Sequence, residues 1–192
     1  MKNKMTTRRL CVTAVMLALA TVLSLFKIYK LPLGGSITLL SMLPIVLIAI
    51  NYGTLWGLCT SFLYSLIQLV MGIALDGLLG WGLTPAILIG CILFDYIFAF
   101  SLLGLAGVFR RRGNVGICLG VALALFLRFL CHFISGSIFF RNWEVFHNPY
   151  LYSLCYNGSY MLPELVFTLI GTVLLLRSKN FCRVVQSDIL KD

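Results

Sequence analysis

Arg128, His132, Tyr152, Asn157 and Glu164 fall within residues 128–164 of an otherwise overwhelmingly apolar chain. Lipid does not tolerate such groups unpaired, so they belong in a cavity between membrane helices or in ion pairs and hydrogen bonds between them. Arg128 and His132 lie four residues apart and share one helical face, and Gly136, a turn further on, leaves space beside the histidine. A second polar point is Asp95-Tyr96, about eleven residues into another apolar run. An unpaired carboxylate at that depth costs several kcal/mol, which makes it a functional candidate by default.

One carboxylate among Tyr96, His132, Phe139, Phe140, Tyr152, Tyr156 and Asn157 suits a cationic, aromatic small molecule. Carboxylate and ring faces both favour positive charge, and desolvation strengthens both. The Asn157 amide can donate and accept at a heterocycle edge. Structural roles stay open for the same residues. Asp95 can pair with Arg128 to join two helices, His132 can simply pack, and the aromatics can form an interfacial belt. Glu164, directly after Pro163, can take up backbone groups that the proline frees.

Catalytic readings find little support. There is no G-x-x-x-x-G-K-[ST] to hold ATP and no H-E-x-x-H to hold zinc. Ser135, His132 and Asp95 have no spacing that suggests a triad. The seven cysteines form no C-x-x-C pair, and most lie in apolar runs as small hydrophobes. No catalytic residue, metal or cofactor is expected.

The elements that must position these groups are membrane helices. The 192 residues are 60% hydrophobic and only 11% charged, far from the soluble norm of about 25% charged. The apolar runs have helix length rather than the roughly ten-residue alternation of a membrane barrel. The expectation is an all-α integral membrane protein, one domain over 1–192, with six transmembrane helices near 9–29, 37–52, 54–74, 84–109, 115–140 and 150–176. The second is short for a crossing and contains Pro44. The N-terminal stretch looks superficially like a signal peptide but lacks a cleavage site before Lys27, so it is read as the first membrane helix. Trp81, in the 76–82 loop, reads as interfacial belt. Thr84-Pro85 marks a helix start.

The net charge of +9 sits in clusters at the ends of apolar runs, which argues for topology rather than nucleic acid. Eleven Lys and Arg fall on one side of a six-helix arrangement and three, Lys27, Lys30 and Arg141, on the other. Both termini are therefore expected in the cytoplasm, with the polar site opening outward. On the first helix, Ala14, Ala18 and Thr21 form a small-residue stripe, suited either to internal packing or to docking another membrane protein.

The chain resembles the thiamine-specific substrate-binding subunits of energy-coupling factor (ECF) transporters. The resemblance rests on Gly34-Gly-Ser-Ile-Thr38 with Met42-Leu-Pro44, on Asp95-Tyr-Ile-Phe-Ala-Phe100 through Arg110, on His132-Phe-Ile-Ser-Gly136, and on Tyr152 through Glu164. It implies the six-helix fold of that family in the cell membrane, a thiamine site near the outer face, no enzymatic activity, and partnership with a transmembrane coupling subunit and two ATPase subunits. Carried over by position, it assigns ligand contacts to Asp95, Tyr96, His132, Gly136, Phe140, Tyr152 and Asn157. Gly34, Gly35, Phe139, Trp143 and Ser153 become candidates for the site or its lid, and Ala14 and Ala18 for docking the coupling subunit.

Two departures bear on affinity. Asp95 stands where some members have glutamate, a carboxylate about one methylene further back. Phe140 and Gly35 stand where some have tryptophan, with Trp143 a possible replacement. Competing readings are an ECF subunit for another vitamin or a thiamine precursor, a stand-alone proton-coupled carrier, or a membrane enzyme using Asp95 and His132.

Overall fold

The first turns of the chain already show that the interior and exterior of this protein are inverted relative to a soluble domain. Helix α1 (Lys2–Leu25) buries Thr13, Ala20 and Ser24 while exposing Leu10, Val15, Leu19 and Val22. The same holds elsewhere: Ser61, Ser65, Thr168 and Thr172 are fully buried, whereas Phe62, Val70, Phe126, Val166 and Leu174 face outward. An apolar exterior around small polar groups is the arrangement that a hydrocarbon solvent selects. The computed structural model describes residues 2–140 and 147–189.

After α1 the chain forms a small hairpin, β1 (Lys27–Lys30) and β2 (Ser36–Thr38), joined through a 3-10 turn at Pro32–Gly34. The strands are antiparallel, with Lys27 opposite Thr38 and Lys30 opposite Ser36, and an irregularity between Lys27 and Tyr29. Gly34 supplies the left-handed backbone the turn needs, at φ +88°. This corrects two sequence expectations. The first helix ends at Leu25 rather than 29, and the second begins at Leu43 rather than 37, because Lys27, Tyr29 and Lys30 pair with the return strand instead of extending α1.

Helix α2 (Leu43–Tyr52) is consequently short, and eight of its ten residues are buried, so it is a central strut surrounded by other helices. Gly53, at φ +92°, turns the chain directly into α3 (Thr54–Leu75). Arg110 Nη1 donates to the carbonyls of Asn51 (2.8 Å) and Ile50 (3.3 Å), satisfying the end of α2.

The next helical run, here called α4, covers 85–107 and is not uniform. Thr84 caps it and Pro85 opens it, as the sequence suggests. The α-helical turns of Pro85–Cys91 then widen into a π-helical stretch, Ile92–Phe98, and tighten again to a 3-10 stretch, Leu102–Gly107. A 3-10 turn at Arg110–Arg112 leads into α5 (Gly113–Phe139); after residues 141–146 come α6 (Pro149–Arg177) and α7 (Lys179–Ile189). Asn148 caps α6 by accepting from the amides of Tyr150 and Leu151.

Small residues set the packing distance. A Cβ at Gly57 of α3 would lie 2.9 Å from the carbonyl oxygen of Gly104 in α4, so no other residue fits this crossing without moving a backbone. Among the described residues four stretches are long and apolar enough to cross a membrane: Thr7–Leu25, Thr54–Leu75, Pro85–Phe139 and Pro149–Arg177. The third holds 55 residues and folds back on itself, α4 packing against α5.

Candidate functional site

Between α4, α5, α6 and the hairpin lies a cavity that leaves about 110 Å³ for the centres of water molecules. Asp95 and Tyr96 reach it from the π-helical stretch of α4. A π-helical turn inserts an extra residue and re-aims its side chains, a distortion that recurs at functional sites. The expectation of one regular helix over 84–109 missed this.

Asp95 is held from two directions. Its Oδ1 lies 2.9 Å from His132 Nδ1, and its Oδ2 accepts from Ser135 Oγ at 2.5 Å and from Cys91 Sγ at 3.2 Å. In the neutral ring, a carboxylate facing Nδ1 places the imidazole proton there and leaves Nε2 as an acceptor. Among the described residues His132 Nε2 is buried with no partner, on a residue that lines the cavity. The pair thus presents a negative charge and an unused acceptor to whatever enters.

On α6, Tyr152, Tyr156, Tyr160 and Glu164 recur every four residues and form one polar face. Tyr152 and Tyr156 stack with ring centroids 5.7 Å apart, Tyr156 and Tyr160 meet edge to face, and Tyr160 meets His132 at 5.8 Å. Asn157 sits between them, but its amide is already engaged. Nδ2 donates to Ser153 O, Ser153 Oγ and His132 O, and Oδ1 accepts from Tyr160. Its observed task is to clamp α5 to α6.

Asp95, Tyr96, His132, Gly136, Phe140, Tyr152 and Asn157 all line the cavity, together with Gly34 and Gly35 of the hairpin. Phe139 and Ser153 do not. Phe139 packs behind the wall against Phe94 and Gly90, and Ser153 donates to Phe133 O at 2.7 Å. The space that the sequence reading gave to a neighbour of His132 at Gly136 is filled by α6: a Cβ there would lie 3.0 Å from Asn157 Nδ2. Trp143 lies outside the described residues. Ala14 and Ala18 are exposed on the outer face of α1.

Other assignments change. Among the described residues no ion pair joins Asp95 to Arg128. The Arg128 guanidinium instead lies 4.1 Å from the Phe100 ring centre and donates to Met42 Sδ. Glu164 does not serve the backbone freed by Pro163. Its Oε1 accepts from both the amide (2.5 Å) and the hydroxyl (2.6 Å) of Thr38, tying β2 to α6. Trp81, read from sequence as interfacial belt, lines the cavity, donates to Asp76 O, packs edge-on to Phe140 and lies against Gly34. Sequence reading missed Tyr160, and named Trp81 and Glu164 without assigning either to ligand contact. The four-residue recurrence on α6 was a usable signal for Tyr160 and Glu164.

The hairpin closes one end of the cavity. Tyr156 OH accepts from Gly35 N at 3.2 Å and donates to Pro32 O, and Asp76 binds Lys27 (2.5 Å) and Lys30 (3.0 Å).

A protein-family model described as "Thiamine transporter protein (Thia_YuaJ)" matches residues 10–183. The chain is similar to the thiamine transporter ThiT of Bacillus subtilis (strain 168), 32% identical over 94% of this chain and 95% of that protein. It also resembles the solved structure of ThiT from Listeria monocytogenes, with a TM-score of 0.72, 22% identity, and coverage of 94% of this chain and 98% of that one. At that identity the structural likeness speaks for the fold alone. With its apolar stretches, it makes this a mostly helical, multi-pass membrane protein.

Proposed function

This chain belongs to the thiamine transporter protein family, and from that membership we propose that it is a thiamine-binding membrane subunit of an ECF-type transporter. In this reading six helices cross the membrane with both termini in the cytoplasm, α2 being the short central one. Thiamine enters from outside beneath the hairpin, which closes over it. A transmembrane coupling subunit and two ATPase subunits then drive reorientation and inward release, and the chain itself carries out no chemical conversion.

The observation that carries the reading is that seven residues from α4, α6 and the end of α5 line one cavity around the carboxylate of Asp95, which His132 holds. The thiazolium charge is met by Asp95 and the rings of Tyr96, Phe140 and Tyr152. His132 Nε2, an acceptor, is matched to a donor such as the aminopyrimidine amine or the hydroxyl of thiamine. Trp81, stacked edge-on to Phe140, supplies the indole that Phe140 and Gly35 lack relative to some members.

Titrating purified protein with thiamine, its isolated pyrimidine half and riboflavin tests this through Trp81 fluorescence. Saturable quenching by thiamine, weaker by the pyrimidine and absent with riboflavin, is the expected result. Tight riboflavin binding without thiamine binding would overturn it.

A further inference from the structure

The ionisable groups that line the cavity are Lys27, Asp76, Asp95, Arg128, His132 and Glu164. At the hairpin end Asp76 is held by Lys27 at 2.5 Å and by Lys30 at 3.0 Å; Lys27 and Asp76 neutralise one another, while Lys30 does not line the cavity and is half-exposed, where water screens its charge. With His132 counted as the neutral ring protonated at Nδ1, Asp95, Glu164 and Arg128 are the interior charges: two negative, one positive. Arg128 stays charged in any protein environment. Glu164 is arranged as an anion, because its Oε1 takes two donors from Thr38, whose hydroxyl is in turn hydrogen-bonded to Ser41 at 2.6 Å.

Arg128 and Glu164 do not satisfy each other directly. Among the described residues no ion pair joins them, and Arg128 Nε and Glu164 Oε2 are both buried without a partner. Arg128 is 6% exposed and Glu164 0%. Two opposite charges that line one cavity without forming an ion pair act on its contents through space, in a setting where water screens little.

Resting on the thiamine reading, we propose that Glu164 and Arg128 are specificity-determining residues that set the charge the cavity accepts. Glu164 cancels the field of Arg128, so that the one uncancelled charge, that of Asp95, is available to a ligand of charge +1. Without Glu164 the interior sums to zero, and a monocation meets an unopposed guanidinium. The pair needs no contact with the thiazolium to act; it determines whether positive charge is stable there at all. Thr38 and Ser41 are the groups that fix Glu164 in this role, and both line the cavity.

The test compares thiamine with a neutral analogue in which a thiophene ring replaces the thiazolium, using calorimetry on purified wild type, E164Q, R128M and the double variant. Glutamine at 164 keeps an oxygen to accept from Thr38, and methionine at 128 keeps an unbranched apolar stem against Phe100, so both preserve local packing. Expected for E164Q is a loss of roughly tenfold or more in thiamine affinity, with the neutral analogue changed by less than about threefold. R128M is expected to bind thiamine at least as tightly as wild type, and the double variant to recover most of what E164Q loses. The double variant keeps the test open should R128M, with an unopposed Glu164, fail to fold.

Equal losses for thiamine and the analogue in E164Q would overturn the charge-setting role and leave a purely structural one. Weaker thiamine binding in R128M would overturn it too. Wild-type protein that binds the neutral analogue but not thiamine would overturn this inference and the functional reading together; the E164Q outcomes, obtained on a wild type that binds thiamine, leave that reading standing.

Discussion

Asp95 is useful to a ligand only because its neighbours hold it without neutralising it. His132 and Ser135 are three residues apart on α5 and take one carboxylate oxygen each, so the group is fixed in place without an ion pair to Lys or Arg among the described residues. Replacing it with asparagine keeps an oxygen for His132 Nδ1 and offers an amide to Ser135 Oγ, so helix packing survives while the charge disappears. Asp95→Asn is therefore expected to weaken thiamine binding by about 2 kcal/mol, the order of a charge-assisted hydrogen bond, with a melting temperature near that of wild type. Calorimetry beside a thermal melt checks both halves; normal binding with a lower melting temperature would return Asp95 to a purely structural role. His132→Ala should lose affinity as well, removing the acceptor at Nε2. Asp95 and His132 were legible in sequence because a charge inside an apolar run is conspicuous. The partner of Arg128 was not, since nothing in the spacing points to a methionine on α2 or a ring on α4.

At the level of elements, the hairpin and the π-helical stretch decide where these side chains go, and neither is visible as such in the sequence. The strands are four and three residues long, and their apolar residues adjoin helical runs, so period alone extends α1 and α2 into them. A π-helical stretch differs from an α-helix only in where its hydrogen bonds fall, which composition does not reveal. Once seen, the hairpin shows how it is fastened: Tyr156 reaches from α6 to Gly35 and Pro32 through a single hydroxyl. Tyr156→Phe keeps the ring stack with Tyr152 and removes only that fastening. Thiamine dissociation measured by stopped-flow fluorescence is expected to quicken by roughly three- to tenfold, the worth of one or two hydrogen bonds, with a smaller effect on association. An unchanged dissociation rate would mean that the Lys27 and Lys30 contacts with Asp76, Trp81 and the Glu164–Thr38 hydrogen bonds hold the hairpin without it.

Taken whole, the molecule uses one face of α1 for itself and leaves the other bare. Trp56 Nε1 donates to Thr13 (2.9 Å), Tyr64 lies against Ala20 and Gln68 Nε2 donates to Ser24 (3.0 Å), all linking α1 to α3. Ala14 and Ala18 point away from these contacts and are exposed. Small side chains on a lipid-facing surface gain nothing from the bilayer, which solvates leucine as well as alanine; their value is that another helix can approach closely. The small residues were legible from their spacing, but which way they face was not, because α1 is apolar nearly all round. Since the face lies outside the cavity, bulk added there should separate binding from transport. The double variant A14W/A18W is expected to bind thiamine in detergent within about twofold of wild type, as expected for a surface change remote from the site. In cells that also produce the coupling and ATPase subunits, the same variant should lose most thiamine uptake, and wild type should lose it when the coupling subunit is withheld. Full uptake by A14W/A18W would exclude this face of α1 as the docking surface, and full uptake by wild type without the coupling subunit would make the chain a carrier in its own right.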